Sequence, residues 1–180
     1  ALARALAPNP VVLLLDEPFS NLDAELRYQM RDEVVHILAQ LGATAILVTH
    51  DQQEAFAFAD RVAILNQGRL EQFDTPWNLY HCPATKFVAS FVGQANFLPA
   101  IVQPGGLVTE LGLLPVSAGL PADTRLEVLL RPESVAVEAD QRSQTIVEST
   151  QFRGADVVSV IRLPSGRLIR ALQPAAMMLR

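Results

Sequence analysis

The 180-residue chain has a single cysteine, Cys82, and a single lysine, Lys86. One thiol forms no internal disulfide, which fits a reducing compartment. Cys82 follows His81, but two adjacent ligand types without a partner cluster make a poor metal site, and a packed or surface thiol accounts for it. Long apolar runs are missing: VVLLL at residues 11–15 is among the longest, whereas a membrane-crossing helix needs roughly 20 apolar residues. Any membrane role is therefore expected to come through a partner. No basic segment leads into an apolar one at the start, so no secretory leader is legible. Basic charge is scarce as well, with 14 Lys and Arg against 19 Asp and Glu and a formal charge of −5, which gives no field to hold nucleic acid. Aromatics are only 6%, and residues 94–180 contain just Phe97 and Phe152, both in apolar contexts where core packing explains them. A strand-binding barrel needs a basic groove and stacking aromatics, so no nucleic-acid partner is expected. What is present is 50% hydrophobic and 18% charged residues, a globular, core-forming composition long enough for one ordinary domain or two small ones.

VVLLL consists of β-branched and leucine residues without alternation, which predicts a strand buried on both faces of a parallel sheet. Leu26, Met30, Val34, Ile37, Leu38 and Leu41 then form a helical stripe, which Gly42 is suited to end. The run TAILVT at 44–49 returns to strand character. Strand, helix and strand with short links make a crossover unit, so the two strands are expected to be parallel, with their carboxyl ends on one edge. Those ends carry Asp16, Glu17 and His50. Beyond them, DQQEAFAFA reads as a short helix and RVAILNQGRLEQFD as two strands turning at Asn66-Gln67-Gly68. Thr75 and Pro76 open another helix, and ATKFVASFVG suggests one more. After Ala95 the texture changes to short β-rich runs, RLEVLLR, SVAVEA, TIVESTQF, DVVSVIRL and RLIRAL, the last two joined by Pro164-Ser165-Gly166. A boundary near Gly93 is expected, separating an α/β part, residues 1–93, from a small antiparallel barrel or sandwich, residues 94–180.

Ligands of open parallel sheets bind outside the carboxyl ends of the strands. A strand-end acid such as Asp16 can hold Mg²⁺ through water, because that ion prefers oxygen and sheds its hydration reluctantly. The neighbouring Glu17 could orient or deprotonate a water attacking a phosphoryl group. Taken singly, Asp16 and Glu17 before Pro18 could also end a strand and begin a turn, and His50 could cap the next helix.

Together the blocks resemble a known family. VVLLLDE followed by PFSNLD, and then ILVTHDQQEA with ADRVAILNQGRL, is similar to the second half of the ATPase subunit of ATP-binding cassette (ABC) transporters, a P-loop NTPase. ALARAL at the start looks like the end of the helix after that family's signature motif. The resemblance implies that Asp16 binds the water shell of Mg²⁺, that Glu17 is the general base for hydrolysis of the ATP γ-phosphate, and that His50 contacts that phosphate. It also implies that the D-loop residues Ser20, Asn21, Leu22 and Asp23 reach across a homodimer interface.

Residues 73–98 and the later LLRPESVAV and STQFRGADVVSVIRLPSGRLIRA are similar to importer subunits with a C-terminal TOBE domain, an OB-like barrel. The implied whole is a cytoplasmic ATPase lying peripherally on the inner face of the membrane beneath permease subunits, and served indirectly by a solute-binding protein. GQANFLPA, GGLVTELGLLP and LLRPES look most like the ferric-iron group, with sugar, polyamine, phosphonate and sulfate or molybdate importers as alternatives. The glycine-rich G-x-x-x-x-G-K-[ST] loop that cradles phosphates is absent, as are the Q-loop and signature, and Lys86 has no glycine loop around it. The expectation is a piece cut from a longer subunit before residue 1 and unable by itself to bind or hydrolyse ATP. The rival from another class is a non-catalytic regulatory or dimerisation module.

Overall fold

A computed structural model of the chain describes residues 2–8, 10–116, 119–140 and 142–176. They form two compact units, Ala1–Val88 and Ala89–Arg180.

The first unit begins with a short helix α1 (Leu2–Leu6), strand β1 (Val12–Asp16), the long helix α2 (Ala24–Leu41) and strand β2 (Thr44–Val48). β1 and β2 pair in parallel, with Val12 opposite Thr44 and Asp16 opposite Val48, so the crossover expected from the hydrophobic pattern forms. α2 ends as the stripe predicts. Gly42 takes φ of +59°, which costs a residue without Cβ little, and the amides of Gly42 and Ala43 reach back to Ala39 O and Leu38 O in a Schellman pattern.

The expectation that β1 is buried on both faces fails. Leu13 is buried and Leu15 packs beneath α2 with Phe19, Val34 and Leu38, while Val12, Leu14, Ile46 and Val48 stand exposed on the other face. The reason is geometric: among the described residues this sheet has two strands, and the helix covers one side only. The ends of the α2 stripe, Leu26 and Leu41, are exposed too. An 18-residue helix is about 27 Å long, and five-residue strands reach only about 16 Å.

After β2 come α3 (Gln52–Phe58), β3 (Val62–Asn66), β4 (Arg69–Asp74), α4 (Pro76–His81) and α5 (Lys86–Phe91). β3 and β4 form the expected antiparallel hairpin, with Gln67 and Gly68 at φ of +48° and +76°, the left-handed pair a tight hairpin turn requires. Thr75 caps α4 by accepting from the amide of Asn78, with Pro76 next to it. No helix among the described residues is long and apolar enough to cross a membrane.

The second unit contains β5 (Asn96–Gln103), β6 (Gly106–Thr109), β7 (Gly112–Leu114), β8 (Arg125–Leu130), β9 (Ile146–Phe152), β10 (Asp156–Arg162) and β11 (Leu168–Pro174). They make two antiparallel sheets, β7-β6-β5-β8 and β11-β10-β9. Leu98, Ile161, Leu163, Ile169 and Ala171 fill the space between them, so the two sheets share one core. Among the described residues no backbone pairing joins the sheets; side chains do, and the buried one is Asn96. Its Nδ2 donates to Arg170 O and its Oδ1 accepts from Arg170 N, both at 2.8 Å, which reproduces one rung of a ladder between β5 and β11.

SVAVEA, expected as a strand, is not one. Pro132 opens a 3₁₀ turn, Pro132–Ser134, after which Val135 and Val137 pack into the core without a ladder. Conversely, β5 to β7 carry no strand pattern that the sequence announced, because Pro99 interrupts β5. β6 reaches only Ala100–Gln103, so at Pro99 β5 has β8 as its one neighbour and a side where the missing N–H costs no ladder bond.

Candidate functional site

The two parallel strands deliver Asp16, Glu17 and His50 to one edge. Asp16 is the last residue of β1 and, by the alternation of the strand, shares the open face with Val12 and Leu14. Glu17 extends the ladder by one bond, its amide donating to Val48 O at 2.8 Å. It takes φ of +44°, an uncommon conformation for a residue with a side chain and one found often at functional positions. This turn directs Glu17 to His50, whose Nδ1 lies 2.8 Å from Glu17 Oε1. Nδ1–H donates and the carboxylate accepts, which leaves Nε2 on the opposite side of the ring for another partner. The hydrogen bond and the charge of Glu17 raise the His50 pKa above 6.5, with smaller contributions from Glu54 and Asp51. Both side chains are solvated, His50 at 77% and Glu17 at 43% exposure.

The segment after Glu17 is tied to it. Ser20 donates to Glu17 O through both its amide and its hydroxyl, and Phe19 is buried. Leu22 packs against the core, while Asn21 and Asp23 are exposed. Asp23 caps α2 by accepting from the amide of Leu26 at 2.9 Å. Ser20 to Asp23 thus form an anchored turn beside the Glu17–His50 pair.

A second layer of residues was not singled out in the sequence. Arg27 on α2 reaches Asp51 at 3.4 Å, Leu22 O at 3.1 Å and Glu54 at 3.7 Å. The Glu54 carboxylate, only 5% exposed, accepts from the Thr49 hydroxyl at 2.6 Å, and Thr49 in turn accepts from the Asp51 amide. A signal existed: Asp51 and Glu54 stand at the spacing of a capping box. Only half of it forms. Asp51 caps the amides of Gln53 and Glu54, but the Asp51 amide goes to Thr49, which frees Glu54 for Thr49 and Arg27.

Among the described residues no three His, Cys, Asp or Glu side chains converge as a metal cage. The donor at the strand end, one exposed carboxylate, suits Mg²⁺ held through water.

Residues 128–179 match the TOBE domain family. The chain is 42% identical over 92% of its length to the spermidine/putrescine import ATP-binding protein PotA of Oleidesulfovibrio alaskensis, covering 48% of that protein. It is 47% identical over 98% of its length to the sulfate/thiosulfate import ATP-binding protein CysA of Xanthomonas campestris pv. campestris, covering 51%. It is 43% identical over 91% of its length to the sn-glycerol-3-phosphate import ATP-binding protein UgpC of Chromohalobacter salexigens, covering 46%. The chain thus spans about half the length of these relatives. Glu17 paired with a histidine at the strand ends, a TOBE match at residues 128–179 and identity running through both units have one reading: the chain belongs to the ATP-binding subunits of ABC importers, of which it spans about half.

Proposed function

We propose that this chain supplies the hydrolytic strand ends and the TOBE domain of the ATPase that drives an importer. The observation that carries the proposal is the 2.8 Å contact of His50 with Glu17 at the ends of two parallel strands. Glu17 acts as general base on the water that attacks the γ-phosphate of ATP, and Asp16 holds the water shell of Mg²⁺. His50, steered by Glu17 at Nδ1, offers Nε2 to the phosphate. Ser20, Asn21, Leu22 and Asp23 contact a second copy across a homodimer. Residues 1–93 are the part of an ABC ATPase domain with the parallel strands, and residues 94–180 an OB-like TOBE domain.

The assembly lies on the cytoplasmic face of the membrane against permease subunits, with a solute-binding protein delivering cargo. The relatives are named for polyamine, sulfate and glycerol-phosphate import, so these solute classes support the reading better than ferric iron, which none of the three names mentions. Without a G-x-x-x-x-G-K-[ST] loop, the 180-residue chain alone gives no stoichiometric ATP binding in calorimetry.

The test is Glu17→Gln in a subunit that joins this chain to a nucleotide-binding N-terminal half. ATP binding is retained and turnover falls by about two or more orders of magnitude, as loss of a general base predicts. Near-normal hydrolysis rejects the assignment.

A further inference from the structure

The contacts around the strand ends close into a ring. Starting from Glu17, its carbonyl holds Ser20, the turn passes Phe19 to Leu22, and Arg27 Nη2 grips Leu22 O at 3.1 Å. The same guanidinium reaches Asp51 through Nη1 and faces Glu54 through Nε. Glu54 holds Thr49, Thr49 holds the Asp51 amide, and between those two residues stands His50, which returns to Glu17. The exposed pair lies at the front of this ring, and the half-buried Arg27 and buried Glu54 stand behind it.

We infer that Arg27 is a positioning residue that couples the Glu17–Asp23 turn to the His50 segment, so that the base and the histidine keep one mutual geometry. The argument rests on the shape of the guanidinium. Its planar fork serves the Leu22 carbonyl and the Asp51 carboxylate at once, one on each segment, whereas an ammonium is a point charge that meets one of them at a time. Glu54 is well placed to transmit this hold: its second oxygen binds the residue that precedes His50. Without Arg27 the two segments remain joined by the β1–β2 ladder, by the exposed Tyr28–Gln53 hydrogen bond between α2 and α3, and by the solvated His50–Glu17 contact; the two exposed contacts are too weakly held in water to fix an angle by themselves.

This inference rests on the hydrolytic reading above, and its test separates the two. In the 180-residue chain, amide hydrogen exchange of Arg27→Gln is compared with the parent. Ser20 and Leu22 are expected to lose protection together with Gln53 and Glu54, each by about tenfold, while amides around Val34 and Leu38 in α2 keep theirs and report an intact fold. Arg27→Lys keeps the charge but not the fork and behaves like Arg27→Gln. Thr49→Val, nearly isosteric, loosens only the 51–54 amides. In the two-half subunit, Arg27→Gln lowers kcat by about 10²-fold, as misplacement of a catalytic group does, with KM within about threefold of the parent.

Full rescue by lysine, loosening confined to one segment, or unchanged kcat overturns the positioning role. If Arg27→Gln is active and Glu17→Gln is dead, the hydrolytic reading stands and this inference falls. If Glu17→Gln turns over normally, the hydrolytic reading falls, while the exchange experiment still decides whether Arg27 couples the two segments.

Discussion

Replacing Asn96 by leucine removes the buried side-chain rung that joins β5 to β11, and its cost follows from the two bonds it makes. Asn96 is 6% exposed and gives both halves of its amide to the Arg170 backbone at 2.8 Å. A neutral intramolecular hydrogen bond contributes about 1 kcal/mol net, and a backbone group left without its partner in a partly buried place costs about 1–3 kcal/mol. Two such groups, with water repairing part of the loss at the strand edge, give about 2–3 kcal/mol for Asn96→Leu. With a urea slope of about 2 kcal/mol/M, the unfolding midpoint followed by circular dichroism falls by about 1–1.5 M. Exchange of the Arg170 amide accelerates more than that of Ser159 or Ala171, which belong to the β10–β11 ladder. Asn96→Asp is at least as harmful, because it places a carboxylate oxygen against the Arg170 carbonyl. A midpoint within about 0.3 M of the parent, with Arg170 still protected, would refute the idea that a side chain closes this seam.

Leu163, 1% exposed between the sheets of the second unit, should cost about 2–5 kcal/mol on truncation to alanine. A loss under about 1 kcal/mol in urea unfolding would mean that the shared core is not there. His50 should titrate above 6.5 in NMR, because the hydrogen bond and charge of Glu17 favour the imidazolium. A raised folded-state pKa makes the stability that the charged pair contributes complete below about 6.5 and lost as pH rises through the raised value, and in Glu17→Gln the midpoint falls back toward 6.5; a parent midpoint at or below 6.5 contradicts the contact.

The parts of the fold that were legible in the sequence are those fixed by local chemistry. Gly42 ends α2, Thr75 and Pro76 begin α4, and Asn66-Gln67-Gly68 turns β3 into β4, because each rests on a φ preference or a cap within a few residues. The parallel pairing of β1 with β2 was legible because two apolar runs flank one helical stripe. The illegible parts depend on what lies across the chain. VVLLL does not reveal that only one face is covered, since that is a property of the neighbours and not of the five residues. SVAVEA has strand composition and packs Val135 and Val137 into the core, yet Pro132 draws its start into a turn, and among the described residues it joins no ladder, β11 reaching it only through the Gln173 side chain, which donates to Val137 O. Asn96 reads as a polar residue in a loop, and its role appears only once Arg170, 74 residues away, is seen opposite it.

The same division runs through the site. The pairing of Glu17 with His50 was within reach because both end strands of one crossover, a relation set by topology. Arg27, Thr49 and Glu54 were not, because their contacts require knowing which faces of α2 and α3 meet. On the proposed hydrolytic reading, that layer separates two contributions to catalysis. Glu17 and His50 lie in water, where charges interact at high dielectric and a fixed dipole is worth little. Their backbones, however, are already held by the β1–β2 ladder, by a left-handed turn at Glu17 and by buried side-chain contacts behind them. Positioning and desolvation are separate contributions to a phosphoryl-transfer site, and under the proposed function these residues would supply the first before any nucleotide arrives. A substitution in the buried layer should therefore act on turnover through geometry, while leaving the exposed pair as solvated as before.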